Sequence, residues 1–329
     1  MSTDFKSLPK AEIHIHLEGC FSTETIVELA RENGTPLPRP EERLLEFQGL
    51  ADFLRFLDFI CGLSRSKDQL ARSAYAFSRR MADSGVGYAD VIVNPTHWSG
   101  WRGNLSGLVE GLDEGFRAAE ADGLPPVGLC VSLLRQQSCV EAVALVEELL
   151  RLKHPRVVAL SVDGNEAASG RTGEKFAEAF QIAGRGGLGR TAHAGESSGP
   201  EGVRDAIFLL GADRIDHGVR AIEDPALVEI LADRQIALGV CPSSNLVLGL
   251  YRTLGEHPIE LLRRAGVPVS VNTDDPALLR TDLAAEYART ADAFAWDKET
   301  CRGVAETSIR ASFAPDALKT SLLEALARW

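Results

Sequence analysis

The amino-acid sequence predicts a single-domain (β/α)8 TIM barrel spanning residues 1–329. Eight short apolar runs alternate with longer stretches of helix-like pattern, an arrangement that produces a parallel sheet surrounded by helices. Histidines and carboxylates follow several of these runs, and the active sites of such barrels lie at the carboxyl ends of the strands. The length of 329 residues is sufficient for one barrel with an insertion.

The eight predicted strands are rich in β-branched and small apolar residues, and each is bounded by glycine, proline or charged residues. Such runs are typical of parallel strands that are buried on both faces. In chain order they are AEIHIHLEG from Ala11, YADVIVNP from Tyr88, PVGLCVSLL from Pro126, VVALSVDG from Val157, RTAHAGE from Arg190, RIDHG from Arg214, IALGVCPSSN from Ile236 and VPVSVNTDD from Val267.

The stretches between the strands have the pattern of helices. One is EKFAEAFQIAGRGG, and another is PEGVRDAIFLLGA, in which Pro200 suits a first helical position and Gly211 a stop. The first connection, residues 22–87, is much longer than the others and contains more than one helix. Its apolar segment GLADFLRFLDFICGL has two interpretations, part of the core or a lid over the barrel mouth, and we expect a mixture of both.

The composition is that of an ordinary globular protein, with 45% hydrophobic and 25% charged residues. The formal net charge of −12 argues against nucleic acid or an anionic membrane as a partner. No window approaches eighteen consecutive apolar residues, and the N-terminal segment MSTDFKSLPKAEIHIHLEG has no apolar signal core. The six cysteines include no C-x-x-C pair, so we expect scattered reduced thiols and a cytoplasmic protein.

Residues that can bind a metal stand where predicted strands end. His14 and His16 end the first strand, and alternation places both rings on the same side of it. His193 and His217 end the fifth and sixth strands, and Asp274 ends the eighth. Burying several unpaired imidazoles and carboxylates is costly, whereas a bound cation compensates them. Three imidazoles and one carboxylate suit Zn²⁺, so we predict one zinc ion per chain. The predicted ligands are His14, His16, His193 and Asp274.

The residues left over after the metal ligands have the chemistry of a hydrolase. We expect His217 to orient the attacking water and accept its proton, and Glu196 to act as a general acid kept protonated by an apolar pocket. The alternative for Glu196 is a cap of the following helix. Asp275 is expected to bond a substrate heteroatom or, alternatively, a histidine of the metal site. Of the other histidines, His97 could line the pocket, but we expect it in a polar loop, and we expect His154 and His257 in surface loops.

Five motifs stand in the order and spacing of the adenosine/adenine deaminase family of metal-dependent aminohydrolases, which the chain resembles from Leu8 to its C-terminus. L-P-K from Leu8 and the FLRFLDF segment also resemble this family. The motifs are H-x-H-L-E-G from His14, H-A-G-E from His193, D-H-G from Asp216, C-P-S-S-N from Cys241 and N-T-D-D-P from Asn272.

The resemblance implies hydrolytic attack on C6 of a 6-aminopurine with release of ammonia. The expected partners of the protein are then its two reactants, a small-molecule 6-aminopurine and water. Glu196 would protonate N1, His217 would orient the attacking oxygen and stabilise charge, and Asp275 would contact N7. Gly164 in V-D-G-N-E matches the family glycine whose backbone N–H meets N3. The implied catalytic residues are Glu196, His217 and Asp274, and the implied substrate-binding residues are Asp275, Gly164, Glu18 and His16.

Two departures from the adenosine deaminase pattern leave the substrate open. Adenosine deaminases usually have H-x-H-L-D-G, whose aspartate reaches the ribose, whereas this chain has Glu18, one methylene longer. They also tend to have C-P-W-S-S, whereas this chain has C-P-S-S-N. Both changes resemble the adenine deaminase branch and its relatives that act on modified adenines or adenosines. Adenosine, adenine and a modified adenine nucleoside therefore all stay candidates, and the oligomeric state is open.

Other enzyme classes fit the sequence less well. A binuclear amidohydrolase usually needs a bridging lysine on strand four, and VVALSVDG contains none, since Lys153 precedes it. The zinc deaminases that act on cytosine use P-C-x-x-C, which is absent from this sequence. A barrel kept only as a binding module predicts a damaged site, whereas the acid, base and ligand positions are all filled.

Overall fold

The computed structural model describes residues 3–329, apart from the side chains of residues 50 and 51. Eight strands form one parallel sheet in which each strand pairs with the next along the chain, from β1 to β8. The predicted (β/α)8 barrel is therefore confirmed. The strands are β1 Lys10–His16, β2 Val86–Val93, β3 Val127–Leu134, β4 Val157–Asp163, β5 Gly189–Ala194, β6 Arg214–His217, β7 Ala237–Val240 and β8 Val269–Val271.

Helices surround the barrel and follow each strand. Pro200 occupies the first turn of its helix, where the missing N–H costs nothing, as the sequence predicts. The helices of the described residues are α1 Thr23–Glu32, α2 Leu50–Cys61, α3 Lys67–Asp83, α4 Leu105–Ala121, α5 Cys139–Leu152, α6 Glu166–Ser169, α7 Gly173–Arg185, α8 Pro200–Phe208, α9 Pro225–Asp233, α10 Pro242–Val247, α11 Ile259–Arg264, α12 Leu283–Phe294, α13 Lys298–Ala311 and α14 Asp316–Arg328.

The barrel closes through a short contact between β8 and β1. The bridge joins Ile15 to Asp274, which lies three residues beyond the end of β8. The N–H of His16 donates to the carbonyl oxygen of Asp274 at 2.8 Å, and the N–H of Asp274 donates to the carbonyl oxygen of His14 at 3.2 Å. The closure therefore lies at the carboxyl ends of the strands, among the predicted metal ligands.

The long connection between β1 and β2 contains α1, α2 and α3. Helix α3 packs on α4 and β2 in the outer layer of the barrel, and Ser22 caps α1 by accepting from the N–H of Thr25 at 3.2 Å. Helix α2 packs beside the 3-10 helix Glu18–Cys20, which directly follows β1. Its Phe56 and Ile60 are buried. The apolar segment thus contributes to the core, while its action as a lid stays a prediction.

A buried ion pair fills the amino end of the barrel. Arg214 on β6 donates to Asp90 on β2 and, through its other terminal nitrogen, to the carbonyl oxygen of Ile13 at 2.8 Å. Its guanidinium carbon lies 4.2 Å from the ring centroid of Phe313. A buried charge without such partners would be strongly destabilising. This arrangement ties three strands together below the site.

Candidate active site and metal centre

Three histidine nitrogens and one carboxylate oxygen converge at the carboxyl end of the barrel. Nε2 of His193 lies 3.1 Å from Nε2 of His14 and 3.0 Å from Nε2 of His16. Oδ1 of Asp274 lies 3.4 Å from His14 Nε2 and 3.3 Å from His16 Nε2. Tetrahedral ligands placed roughly 2.0–2.2 Å from a zinc ion are separated by about 3.3 Å. The structure therefore brings together the four predicted ligands at a spacing that one metal ion could bridge.

The partner of His14 shows which of its ring nitrogens is free. Nδ1 of His14 lies 2.7 Å from the carbonyl oxygen of Gly239, to which only an N–H group can donate. Nδ1 of His193 faces Oδ2 of Asp216 at 3.6 Å, and both atoms are buried. With its hydrogen on Nδ1, His14 presents the lone pair of Nε2 to the cluster, and the nearby carboxylate of Asp216 favours the same tautomer of His193. Converging lone pairs and a carboxylate are the donor set that a cation fits.

Asp274 and His217 both adopt a left-handed backbone conformation, each with φ of 64°. This region is costly for residues with a side chain, by about 1–3 kcal/mol, and such residues cluster at functional sites. Asp274 directs Oδ1 to the histidine nitrogens, and its Oδ2 accepts from the hydroxyl of Ser244 at 2.6 Å. The second serine of C-P-S-S-N therefore orients the carboxylate of Asp274.

Glu196 and His217 face each other beside the metal cluster. Nε2 of His217 lies 3.2 Å from Oε1 of Glu196 and 4.0 Å from Oδ2 of Asp274. Burial, followed by the charge of Asp274, raises the pKa of Glu196 to about 8. Burial therefore favours the protonated form of Glu196, which is the form that a general acid needs. The alternative of a helix cap is wrong, because no side chain caps α8, which follows Gly199.

Glu166 anchors the loop that carries Glu196. Its carboxylate accepts from the backbone N–H of Gly195 at 3.0 Å, of Glu196 at 3.1 Å and of Ser198 at 3.2 Å. Three backbone donors on one buried carboxylate hold this loop in place, since charge-assisted hydrogen bonds are the stronger kind. Sequence reasoning missed Glu166, although it stands just beyond β4, at the barrel end where the other site residues were found.

Arg135 is a second residue that sequence reasoning missed. Its side chain is buried just after β3 and donates to the carbonyl oxygens of His193 and Gly164, the latter at 3.2 Å, and to the hydroxyl of Thr172 at 2.8 Å. It therefore fixes the backbone of one candidate metal ligand and of the predicted N3-binding glycine. Gly164 itself has a φ of 99°, which favours glycine.

Of the three histidines expected in loops, His257 was predicted wrongly. It is 2% exposed rather than on the surface, because its ring packs 4.9 Å from that of Tyr251 and its Nε2 bonds to Oδ1 of Asn245 at 3.0 Å. His97 lies in a loop after β2, where Nδ1 meets Asp58 of α2 at 2.7 Å. His154 lies in the loop before β4, at the opposite end of the barrel from the site.

Glu18 lies in the wall of the barrel mouth and is 1% exposed. Its Oε1 accepts from the backbone N–H of Asn94 and from the indole N–H of Trp98, each at 2.8 Å, while Oε2 has no partner among the described residues. Asn94 also donates to Asp163 at 2.5 Å, and Asp163 lies 3.9 Å from Nδ1 of His16. Glu18 is thus linked to the metal cluster through the backbone and side chain of Asn94 and the carboxylate of Asp163.

Asp275 lies against Gly19, where any Cβ would come within 2.0 Å of Oδ1. Within residues 3–329 this oxygen has no hydrogen-bond partner, which argues against the alternative that Asp275 supports a histidine of the metal site. Burial, reinforced by the neighbouring charge of Asp274, raises the pKa of Asp275 well above its usual range. A protonated Asp275 can donate to an acceptor atom of a ligand.

Comparison with known proteins identifies the family. The family model described as adenosine deaminase matches residues 9–329. The chain belongs to the adenosine deaminase family. The adenine deaminase of Agrobacterium fabrum is 33% identical over 320 residues, covering 97% of this chain and 98% of that protein.

Two solved structures are similar to this member of the adenosine deaminase family. The adenine deaminase of Arthrobacter aurescens has a TM-score of 0.92 and 31% identity, and the match covers 98% of this chain and 99% of that one. An amidohydrolase from Burkholderia ambifaria with bound zinc has a TM-score of 0.91 and 28% identity, and the match covers 98% of this chain and 91% of that one.

Membership in the adenosine deaminase family confirms the predicted recognition and enzyme class. The protein is a metal-dependent hydrolase that deaminates a 6-aminopurine, with water as the second reactant. Within the described part of the chain, no helix has both the length and the apolarity to cross a bilayer.

Proposed function

We propose that the protein converts adenine, as the free base, and water into hypoxanthine and ammonia, with one zinc ion per chain. The observation that carries the choice of substrate is the buried contact of Glu18 with Trp98 and Asn94. The adenine deaminases similar to this chain also support it, since they cover nearly its whole length.

Space and hydrogen bonding both disfavour a nucleoside. The family resemblance implies that the acid at position 18 is on the ribose side of the site. Here the Glu18 carboxylate is turned into the barrel wall and held by two N–H donors, and Trp98 beside it is completely buried. Ribose hydroxyls left without partners in a closed site would cost about 1–3 kcal/mol each. The bare purine ring needs no such partners.

The four convergent atoms support zinc as the resident metal. Three imidazole nitrogens suit Zn²⁺, a borderline-soft ion, better than they suit Mg²⁺ or Ca²⁺, which prefer oxygen ligands, and one carboxylate oxygen completes a set of four. A zinc ion held by these four residues would lower the pKa of water at the site to about 7, which makes an oxygen nucleophile available at neutral pH. The ligands are His14, His16, His193 and Asp274.

The remaining residues supply the acid and position the ring and the attacking oxygen. Glu196, protonated through burial, donates to N1 and so makes C6 more electrophilic. His217, 3.2 Å from Glu196, orients the attacking oxygen. Protonated Asp275 donates to N7, and the backbone N–H of Gly164 meets N3, which together keep the ring plane fixed relative to the metal.

The test is ammonia release from a panel of purines by the zinc-loaded enzyme. The panel contains adenine, adenosine, deoxyadenosine, N6-methyladenine, AMP and N6-methyl-AMP, with metal content measured on the same sample. We expect adenine to have the highest kcat/KM and about one zinc per chain. A higher kcat/KM for any nucleoside or nucleotide would overturn the choice of adenine, and two metal equivalents would overturn the mononuclear site.

A further inference from the structure

A chain of four hydrogen-bonding contacts runs from the backbone of α11 to the centre of the site. The N–H of Ile259 lies 3.2 Å from Nδ1 of His257. Nε2 of His257 lies 3.0 Å from Oδ1 of Asn245, whose Nδ2 lies 3.2 Å from Nδ1 of His217. Nε2 of His217 then lies 3.2 Å from Oε1 of Glu196. Neither Asn245 nor His257 has any part in the chemistry proposed above.

The first contact determines the direction of all the others. A backbone N–H can only donate, so Nδ1 of His257 must accept. A neutral His257 then carries its hydrogen on Nε2 and donates to Asn245, whose amide nitrogen consequently faces His217. Burial supports the neutral form, since it lowers the pKa of His257 to about 4. Nδ1 of His217 is thereby an acceptor, which leaves the ring hydrogen on Nε2.

We propose that Asn245 and His257 are positioning residues that hold His217 as the Nε2–H tautomer, so that in the resting enzyme His217 acts at the attacking oxygen as a hydrogen-bond donor and not as a base. This deepens the proposed function and rests on it, because it assigns His217 to the attacking oxygen. The expectation that His217 accepts a proton from water is replaced by a fixed N–H directed at developing negative charge.

The burial of the three side chains makes the arrangement rigid. His217 and His257 are 1% and 2% exposed, and Asn245 is completely buried. Asn245 lies on α10 and His257 lies just before α11, so the two positions are held by different helices. A ring flip of His217 would leave buried donors and acceptors unpaired, at a cost of about 1–3 kcal/mol each.

The direct test reads the tautomer without substrate. The zinc-loaded enzyme is labelled with ¹⁵N-histidine, because proton-bearing and bare ring nitrogens have distinct ¹⁵N chemical shifts. Zn²⁺ has a filled d shell and does not broaden these signals. The His217 signals are assigned by their loss in His217→Gln. We expect a bare Nδ1 and a protonated Nε2. A hydrogen on Nδ1, or on both nitrogens, at neutral pH would overturn the proposal, whichever purine the enzyme uses.

The second test exchanges donor and acceptor in the hydrogen bond between residue 245 and His217. In Asn245→Asp the carboxylate can only accept, so the His217 hydrogen should move to Nδ1. We expect kcat to fall by about 10²–10³, the usual effect of losing one fixed donor, with KM little changed and an altered pH profile of kcat. Asn104→Asp, at the exposed start of α4 where Asp caps equally well, is the matched control. Unchanged kcat in Asn245→Asp would contradict the proposal.

His257 offers a conservative rescue that a merely structural role would not show. Gln at position 257 has both an amide N–H for Asn245 and an oxygen for the N–H of Ile259, whereas Leu has neither. We expect His257→Gln to keep the His217 tautomer and most of kcat, and His257→Leu to lose both. Equal losses in the two variants would contradict the proposal. All rates are measured with the purine that has the highest kcat/KM in the panel. A wrong substrate assignment would therefore appear in the panel and would not affect the test of the His217 tautomer.

Discussion

The backbone of Asp274 pairs with that of Ile15 in the bridge that joins the last strand of the barrel to the first. The peptide groups of this closure belong to His14, His16 and Asp274, and the side chains of the same residues converge on the candidate metal centre. Closure of the barrel and binding of the metal thus depend on the same few residues. We infer that the metal contributes to the stability of the fold.

The first prediction follows from this shared position. Removal of zinc by chelation should lower the melting temperature, and readdition should restore it, because a ligand that binds only the folded state stabilises it. At free zinc a thousandfold above Kd the gain is about 4 kcal/mol. Calorimetry with and without metal measures the effect. An apoprotein, verified by metal analysis, that melts at the same temperature as the zinc form would contradict it.

The second prediction concerns the histidine at the centre of the cluster. His193 lies within 3.1 Å of both other histidine nitrogens, so His193→Ala removes the ligand that faces the two others. We expect this variant to lose zinc or to bind it weakly, with loss of activity. His154→Ala, in the loop at the opposite end of the barrel, should keep one zinc per chain. Full zinc occupancy with normal turnover in His193→Ala would refute the ligand set.

The third prediction separates the acid from the metal. Glu196→Gln keeps the size of the side chain but cannot deliver a proton, so zinc content should be unchanged while kcat falls. General acids contribute about 10²–10⁴-fold, and we expect a loss in that range. Metal analysis and steady-state kinetics on the same sample measure both properties. Near-normal turnover would remove Glu196 from the role of acid.

The fourth prediction concerns pH. The acid must be protonated, so activity is present below its pKa and is lost as pH rises through it. Burial and Asp274 raise the pKa of Glu196 to about 8, and the charge of bound zinc moves it downward, so kcat/KM should fall with an apparent pKa at or below about 8.

A substitution at Glu166 should shift the fall of kcat/KM at high pH, which is the basic limb of the pH profile. Its negative charge contributes to the raised pKa of Glu196, so Glu166→Gln should shift the limb to lower pH and loosen the loop that carries the acid. Glu178→Gln, on the exposed face of α7, should leave the profile unchanged. A kcat/KM that stays flat well above pH 8 in the wild-type enzyme would contradict the assignment.

The fifth prediction concerns substrate choice. In Glu18→Asp the carboxylate is one methylene shorter, so it cannot keep both of its bonds, to Trp98 and to Asn94, and space opens in the barrel wall. One methylene changes discrimination by about 1–3 kcal/mol, so the ratio of kcat/KM for adenosine to that for adenine should rise at least tenfold. Glu178→Asp is the control. A ratio that stays the same would show that Glu18 does not set the substrate size.

Much of the fold could be predicted from the sequence because the patterns that indicate strands and helices are local. Parallel strands buried on both faces are short and apolar, and their boundaries are given by neighbouring residues. The pair His14 and His16 was readable for the same reason, since alternation along one strand decides that both rings share a side. Strand ends also identified His193, His217 and Asp274, because every parallel strand of a barrel ends at the same rim.

The contacts of Glu166, Asn245, His257 and Glu18 could not be read in this way. Glu166 meets the Glu196 loop across 30 positions of the chain, and Glu18 meets Trp98 across 80. The sequence by itself determined the barrel, the deaminase family and the residues at the strand ends. Only the tertiary structure decided which buried groups hold the acid and orient His217, because a hydrogen bond depends on the distance between two atoms and not on their separation along the chain.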